Sequence, residues 1–469
     1  MKQVCQYVFR IGLANSFLLW YSQGMTLEQE VIALRGEVTA LRAELEAAYK
    51  RIAELEQGRK ERPSFAKPNR PKKAGAKAAR RKRKPEHNRA RRRERPTKSV
   101  SHKLEDCPDC GCHLHGQSVA RRRQVVELPP PQPVEVTEHV VFKAWCPRCE
   151  RWHTPRLHLH GVVLGRGRLG VRLISLIAYL RAELRMTVRA IRTYLKTVHD
   201  LVLSIGEIVE VLHRVREEGA PTLRELREQM RSSPAVHADE TGWREDGQGG
   251  YVWTFSTGEG PEAVRYYERD KSRAGSVVRR VLGLAFKGIL ISDFYAAYNG
   301  YKGRHQRCWV HLLRDLHELK EEQVGNEPVL QWARDVRVLY EEARAALPGI
   351  RERTDQEREA LYHSLVERVQ KLALPYARDK QHPCWALAKR LLRHQDELFQ
   401  FVRVDGLPAD NNLAERSLRP VVVTRKISGG TRSPAGSKTH MALASLFATW
   451  RARDLNPFHA CLNMLGGTP

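Results

Sequence analysis

Three acidic positions, widely separated along the chain, have the residue types and settings for metal-dependent phosphoryl chemistry. The stretch Val236-His237-Ala238-Asp239-Glu240-Thr241-Gly242-Trp243 lies just past mid-chain, and a strand over Ala235 to Ala238 ends at Asp239. A second short apolar strand, Gly288 to Ser292, ends at Asp293. Glu415 follows Asp410-Asn411-Asn412 on a short helix that also carries Arg416 and Arg419 and is expected to end at Pro420. Acids at strand ends can project together at the rim of a mixed sheet. Two carboxylates from strands and one from a helix suit a pair of hard divalent ions. Mg²⁺ takes oxygen ligands and keeps water and substrate phosphate oxygens in its shell. Two such ions activate an attacking oxygen and stabilise a leaving one. A single Asp after a strand is equally a turn residue, so the reading depends on all three.

The elements that must position these acids begin with strands. Tyr251 to Phe255 alternates after a glycine-rich turn, Val264 to Tyr267 follows, and a helix over Ser272 to Leu282 leads to the Asp293 strand. The segment Leu312 to Phe401 is helical and charged, and is expected to be an insertion contacting DNA or a partner protomer, or a solvated helical face. Gly429 to Leu465 carries a glycine-rich loop and a helix through Trp450.

Upstream, Cys107-Pro-Asp-Cys110 and Cys146-Pro-Arg-Cys149 can each build a knuckle, and four thiolates complete a tetrahedral structural Zn²⁺ site. The stretch between them reads as a hairpin, with Arg123 to Leu128, a turn at Pro129-Pro130-Pro131, and alternating Val134, Val136, Val140 and Phe142. That is a zinc-ribbon layout, with Cys112, His113 and His115 as alternative ligands. Gly165 to Gly170 matches the dinucleotide-binding glycine pattern but lacks the preceding strand. Helices are expected over Leu169–Arg185, Thr187–Val198 and from Ser204 to Val215, the last opened by a Ser204–Glu207 capping box. Leu223 to Met230 leads on to the Asp239 strand. Two short helices tightly joined fit a helix-turn-helix, or a helical hairpin that binds nothing.

From Leu27 to Leu55 the heptad is nearly unbroken. Leu27, Leu34, Leu41, Ala48 and Leu55 fill one seam position, and Val31, Val38, Leu45 and Ile52 fill the other. This favours a parallel two-stranded coil, in which Glu30 would face Arg35, Glu37 Arg42, and Arg51 Glu56 of the partner. Residues 1–24 are too interrupted for a spanning helix, and Met25 is a candidate true start. Arg59 to Lys98 is low in complexity and dense in Lys and Arg, including Arg80 to Lys84 and Arg91 to Arg93. Such a run is expected to be disordered and to neutralise phosphates.

The 469 residues imply several domains. A net charge of +27 with a pI near 10.0 draws the chain to polyanions, of which nucleic acid is the commonest large one. Nine cysteines, clustered in pairs, suit reduced thiols at a metal rather than a secreted disulfide scaffold.

His237-Ala-Asp-Glu-Thr-Gly242, Ser292-Asp293-Phe-Tyr-Ala-Ala-Tyr298, Cys308-Trp-Val-His311, and Asp410-Asn-Asn-Leu-Ala-Glu-Arg416 running on to Arg425-Lys426 together resemble the transposases of the insertion-sequence-66 family. The resemblance runs from Leu27 to the C terminus. It implies a DDE-type, RNase H-like catalytic core with Asp239, Asp293 and Glu415 holding two Mg²⁺ ions. Glu240 then faces the other side of its strand, and Asp410 is a helix cap rather than a ligand. Arg416, Arg419, Arg425 and Lys426 are implied DNA contacts, and Cys308 and His311 a buried structural pair. Gly429 to Leu465 departs from the commonest family ending.

The fold expected is multidomain α+β. Its parts are a leader over 1–24, a coiled coil over 25–57, a basic linker over 58–103 and a zinc ribbon over 104–160. A helix-turn-helix-like helical segment follows over 161–233. The RNase H-like mixed α/β core occupies 234–311 and 406–469, with a helical insertion at 312–405. The function expected is DNA transposition: strand cleavage, then attack of the freed 3′-hydroxyl on target DNA. The partners expected are element ends and target DNA, a second copy through the coil, and accessory element-encoded proteins. A cytoplasmic, nucleoid-associated protein without membrane contact is implied. The competing readings are a zinc-containing DNA-binding regulator without catalysis and an RNase H-like nuclease that cuts without joining.

Overall fold

The computed structural model describes residues 27–57 and 95–466, except Gln117 and Pro129. The leader at 1–24 and the basic blocks at 80–84 and 91–93 lie outside the described residues. The chain divides into two units, Met1–Val126 and Glu127–Pro469. In the first, α1 spans Leu27–Gln57. Its seam residues Val31, Leu34, Val38, Leu41 and Leu45 are all exposed. Farther on, the amide of Cys107 donates to the Cys112 carbonyl at 2.8 Å and that of Gly111 to the Cys107 carbonyl at 2.9 Å. Gly111 takes a φ of +74°, which closes the knuckle.

The second unit opens with a two-stranded antiparallel ribbon, β1 (Ala144–Cys146) and β2 (Arg151–His153), flanking the second cysteine pair. The longer hairpin expected over 123–142 does not form, because the described part of that stretch has no strand. Its apolar side chains explain why: Val125, Val126, Val136 and Phe142 all stay exposed, so alternation there finds no second layer to bury against.

Four helices follow: α2 (Val171–Ala182), α3 (Val188–His199), α4 (Ile205–Glu218) and α5 (Ala220–Ser232). Thr187 caps α3 by accepting from the Ala190 amide, and Ser204 caps α4 by accepting from that of Glu207. The glycine-rich Gly165–Gly170 loop simply leads into α2.

Then comes a five-stranded sheet built from β3 (Ala235–Glu245), β4 (Gln248–Ser256), β5 (Arg265–Asp270), β6 (Ile289–Ser292) and β7 (His305–Arg307). The spatial order is β5-β4-β3-β6-β7. β4 runs antiparallel to both β3 and β5, whereas β6 is parallel to β3 and β7 to β6. α6 (Ser276–Leu282) connects β5 to β6.

The two faces of the sheet serve different partners because side chains alternate along each strand. Val236, Ala238 and Leu290 join a core with α2 to α6 and with α13 (Pro434–Ala452) and α14 (Pro457–Met464). Ile289 and Ile291 face the other way, into a core with α7 (Trp309–Glu322), α8 (Glu327–Ala345), α9 (Asp355–Ala373), α10 (Trp385–Arg393) and α11 (Gln400–Arg403). The helical insertion is therefore a second layer on β6 rather than an appendage.

α12 (Asn412–Ser428) crosses the β3–β4 surface beside it. Sequence reasoning ends this helix at Pro420, but it continues eight residues beyond, with Pro420 inside it. Proline removes one amide donor. Burial of Val421 against Trp243, Val252 and Met441 offsets that loss, and the Thr424 hydroxyl returns a hydrogen bond to the Pro420 carbonyl at 3.0 Å.

Candidate active site

The parallel register of β3 and β6 sets the first two acids side by side. His237 is paired with Ile291, so two residues further along each chain lie Asp239 and, just past the end of β6, Asp293. Each carboxylate is fixed by a backbone amide: Asp239 Oδ1 accepts from Glu240 at 2.8 Å and Asp293 Oδ1 from Tyr295 at 2.9 Å.

Glu415 arrives from α12. It sits in the first turn of that helix, where the helix N-terminus favours a carboxylate. The helix is held to β3 by Asn411, which is 1% exposed. Its side-chain amide donates to the Ala238 carbonyl at 2.8 Å, and its Oδ1 lies 3.1 Å from His237 Nδ1. Arg425 holds the other end, its guanidinium donating to the Gly242 carbonyl and to Thr241 Oγ1.

Electrostatically the three acids share one neighbourhood. The Asp239 carboxyl is pushed well above its ordinary value, first by burial, then by the negative charges of Glu240, Asp293 and Glu415. Glu415 Oε1 is buried with no hydrogen-bond partner. The carboxylate oxygens of Asp239, Asp293 and Glu415 do not all lie within 4.8 Å of one another.

Glu240 has its own partners on the opposite face. Arg273 donates to its Oε1 at 2.7 Å, and the Tyr298 hydroxyl to its Oε2 at 2.5 Å. The Arg273 guanidinium lies 3.9 Å above the Tyr295 ring, so the Asp293–Tyr298 turn and Glu240 brace each other. Asp410 accepts from the Asn412 amide at 3.0 Å, one residue ahead of the N-cap Asn411. It is a turn residue beside the cap rather than the cap itself.

Beneath Asp293 lies a buried ionic cluster that pattern reading missed. Arg307 donates to the Asp293 carbonyl at 2.7 Å, to Asn299 at 2.6 Å and to Glu397 at 2.6 Å. Glu397 also accepts from His394 at 2.8 Å and is held down to about 2 by His394, His305 and Arg307 despite burial. The signal available was His305-Gln306-Arg307, a buried strand polar throughout where a core strand wants apolar residues.

Of the expected basic contacts, Arg416, Arg419 and Lys426 are exposed, whereas Arg425 is partly buried. Its lowered pKa reflects desolvation, consistent with its role as a clamp on β3. The segment Thr431 to Lys438 has a definite role. The Trp243 indole donates to Thr431 Oγ1 at 3.1 Å, and the Thr431 amide donates to the Arg244 carbonyl at 3.0 Å. Together they pin the far end of β3.

The cysteine pairs fall in different units. Both Cys107 and Cys146 thiols are lowered by hydrogen bonds from within their own Cys-x-x-Cys turns. Cys146, Cys149 and His153 place their ligand atoms within 4.8 Å of one another, the one such metal-ligating group among the described residues. His153 was not among the ligands expected from spacing. A histidine four residues after Cys149 was the available signal.

Residues 166–439 match the sequence model described as transposase IS66 family. Residues 105–150 match that of the zinc-finger binding domain of transposase IS66. Two uncharacterized proteins of Sinorhizobium fredii (strain NBRC 101917 / NGR234) are similar. Protein y4qI is 28% identical over 257 residues, 49% of this chain and 47% of its own. Protein y4jO is 28% identical over 190 residues, 39% of this chain and 54% of its own. The chain thus spans about half the length of the curated relatives it matches. Among the described residues no helix is long and apolar enough to cross a membrane. With more than half of its length matched to a single family model, the chain belongs to the transposase IS66 family.

Proposed function

We propose that this protein is a DNA transposase that hydrolyses a strand to free a 3′-hydroxyl and then directs that hydroxyl at a phosphodiester of target DNA. The observation that carries the reading is the β3–β6 register, which sets Asp239 on β3 beside Asp293 just past the end of the parallel β6, with Glu415 on the helix crossing β3. The sheet order supports an RNase H-like core: three antiparallel strands, a helix, then two strands parallel to the first. The proposed boundaries put that core at 234–311 and 406–469 around the insertion.

The residues fit a divalent pair. Asp239 is raised by burial and then by its acidic neighbours, and Glu415 has an orphaned buried oxygen. A hard cation relieves both. Asp239, Asp293 and Glu415 would hold two Mg²⁺, which when bound supply a more acidic water and a neutralised leaving oxygen. The chain's own work is positioning. Asn411 fixes α12 to β3, Arg307 holds the Asp293 backbone, and Arg416, Arg419 and Lys426 offer exposed charge to phosphate.

DNA binding draws on a wider surface. The exposed Arg189, Arg192 and Lys196 fall on one stripe of α3, and the basic segment 58–103 adds a sequence-blind term. Zinc on the Cys107, Cys110, Cys146 and Cys149 thiolates would be structural. The exposed seam of α1 supports a homodimer through a parallel coil.

The test is a labelled element end with plasmid target and Mg²⁺, comparing wild type with Asp239→Asn. Joined products that vanish in the variant while binding persists support transposition. Cutting without joining identifies a nuclease, and binding without cutting in either protein identifies a regulator.

A further inference from the structure

The Cys308-x-x-His311 pair has no part in the chemistry above, yet both residues touch the segment that delivers Glu415. Cys308 is buried at the N-cap of α7, and its Sγ accepts from the Asn411 amide at 3.2 Å. Beside it, the Trp309 amide donates to the Ala409 carbonyl at 3.0 Å. The start of α7 is thereby stitched to residues 409–411, immediately ahead of α12. One helical turn onward, His311 on α7 comes opposite Glu415 on α12, with Nε2 3.8 Å from Glu415 Oε1. The three-residue spacing from Cys308 to His311 and the four-residue spacing from Asn411 to Glu415 are both one turn. The two helix starts therefore run side by side with matched contacts.

At the second contact the polar groups are left incomplete. Glu415 Oε1 and His311 Nδ1 are both buried without a hydrogen-bond partner. Buried polar atoms are seldom orphaned. A gap of 3.8 Å is too long for a hydrogen bond, and an approach of about 0.8 Å would bring the pair within range.

We infer that His311 is a positioning residue for Glu415: its Nε2–H holds Glu415 Oε1 so that the other carboxylate oxygen is presented to a divalent ion. This rests on the reading of Glu415 as a metal-holding acid. Outer partners of this kind orient ligating carboxylates, and their loss weakens metal affinity about 10–100-fold. Cys308 acts one step back by fixing where both helices start. Burial pushes its thiol up to about 11, which keeps it a neutral anchor rather than a thiolate ligand.

The experiment is Mn²⁺ binding to the zinc-loaded full-length chain, read from the free-ion electron paramagnetic resonance signal, together with thermal melting. His311→Ala is expected to bind Mn²⁺ about tenfold more weakly with its melting temperature unchanged. His311→Gln, whose side-chain amide can donate from nearly the same place, is expected to stay close to wild type. If the alanine variant does not fold, His311→Phe fills the volume without a donor and replaces it. Glu415→Gln separates the two layers of the inference. Adding His311→Ala to Glu415→Gln should produce no further loss. If Glu415→Gln weakens binding and neither donor-free variant does, the positioning role is overturned while the reading of Glu415 stands. If Glu415→Gln binds as wild type, both fall. A nitrogen hyperfine coupling on bound Mn²⁺ that disappears in His311→Ala would make His311 a ligand and overturn the positioning role.

Discussion

Asn411→Ala is the substitution most able to separate the helix that carries Glu415 from the strand that carries Asp239. Truncation removes two side-chain bonds, to the Ala238 carbonyl at 2.8 Å and to His237 Nδ1 at 3.1 Å. Both partners sit in a region closed to water, since His237 is 4% exposed and Ala238 fully buried. Each stranded group costs about 1–3 kcal/mol, so the loss is about 2–6 kcal/mol. The Asn411 backbone amide keeps its bond to Cys308 Sγ, so the helix start is loosened rather than released. For a unit as long as Glu127–Pro469, at about 2.1 cal/mol/K per residue, 1 kcal/mol moves the melting temperature by about 1.4 °C. Scanning calorimetry of the full chain without divalent ions should therefore show the core transition falling by about 3–8 °C. Lys426→Ala, an exposed change on the same helix, should stay within about 0.5 kcal/mol of wild type. A melting temperature for Asn411→Ala that matches Lys426→Ala would refute the latch. In that case Asn411 would not be what registers the third acid against the first.

Four further outcomes follow from the same structure. His440 is stacked on Trp243 and buried, and its pKa is lowered to about 3. Its contribution is complete above the unfolded value near 6.5 and is lost as pH falls from there towards 3. At about 1.4 kcal/mol per unit this reaches ~5 kcal/mol, and urea unfolding of His440→Phe should show a shallower decline over that range. Cys149→Ser should release zinc to a colorimetric chelator far faster than wild type, and His153→Ala should also speed release, since His153 shares the Cys146–Cys149 cluster. Replacing Arg189 and Arg192 together by Ala should flatten the dependence of log affinity for DNA on log salt by roughly 0.9 for each phosphate that is no longer neutralised. Val38→Asp, placed on the exposed seam of α1, should shift the protein towards monomer in sedimentation equilibrium, whereas Glu44→Lys off that seam should not.

The legibility of the fold follows the reach of each signal. The Asp293 strand was readable because it is a short apolar run ending in an acid, whereas the strand expected to end at Asp239 was readable only at its start, since β3 runs on through Asp239 to Glu245. Glu240 was separable from Asp239 because alternation alone sends neighbours to opposite faces, where Arg273 and Tyr298 receive it. The helix starts at Thr187 and Ser204 were readable from the cap residues themselves. The hairpin expected over 123–142 failed because alternation says that one face could be buried, not that anything is there to bury it. Pro420 misled for the converse reason. Propensity describes an isolated helix, and α12 is held through its proline by packing on Trp243, Val252 and Met441. His153 went unseen because attention to two Cys-x-x-Cys pairs stops at four ligands.

The site itself shows why its third acid is the hardest part to read. Asp239 and Asp293 are registered by backbone pairing between adjacent strands, a rule of spacing that any sequence carries openly. Glu415 is registered by contacts that have no periodicity: Asn411 into the β3 backbone, Cys308 onto Asn411, and Arg425 across to Thr241 and Gly242. Each joins residues more than a hundred positions apart, across an insertion whose core is shared with β6. The insertion therefore has a physical stake in the site. Its first helix begins at Cys308 and ends its first turn near Glu415, and its last segment supplies Glu397 to the cluster under Asp293. A change that loosens α7 or the 395–397 turn should thus reach two of the three acids without touching either carboxylate, and Asp239 alone, held by its own strand, should keep its place.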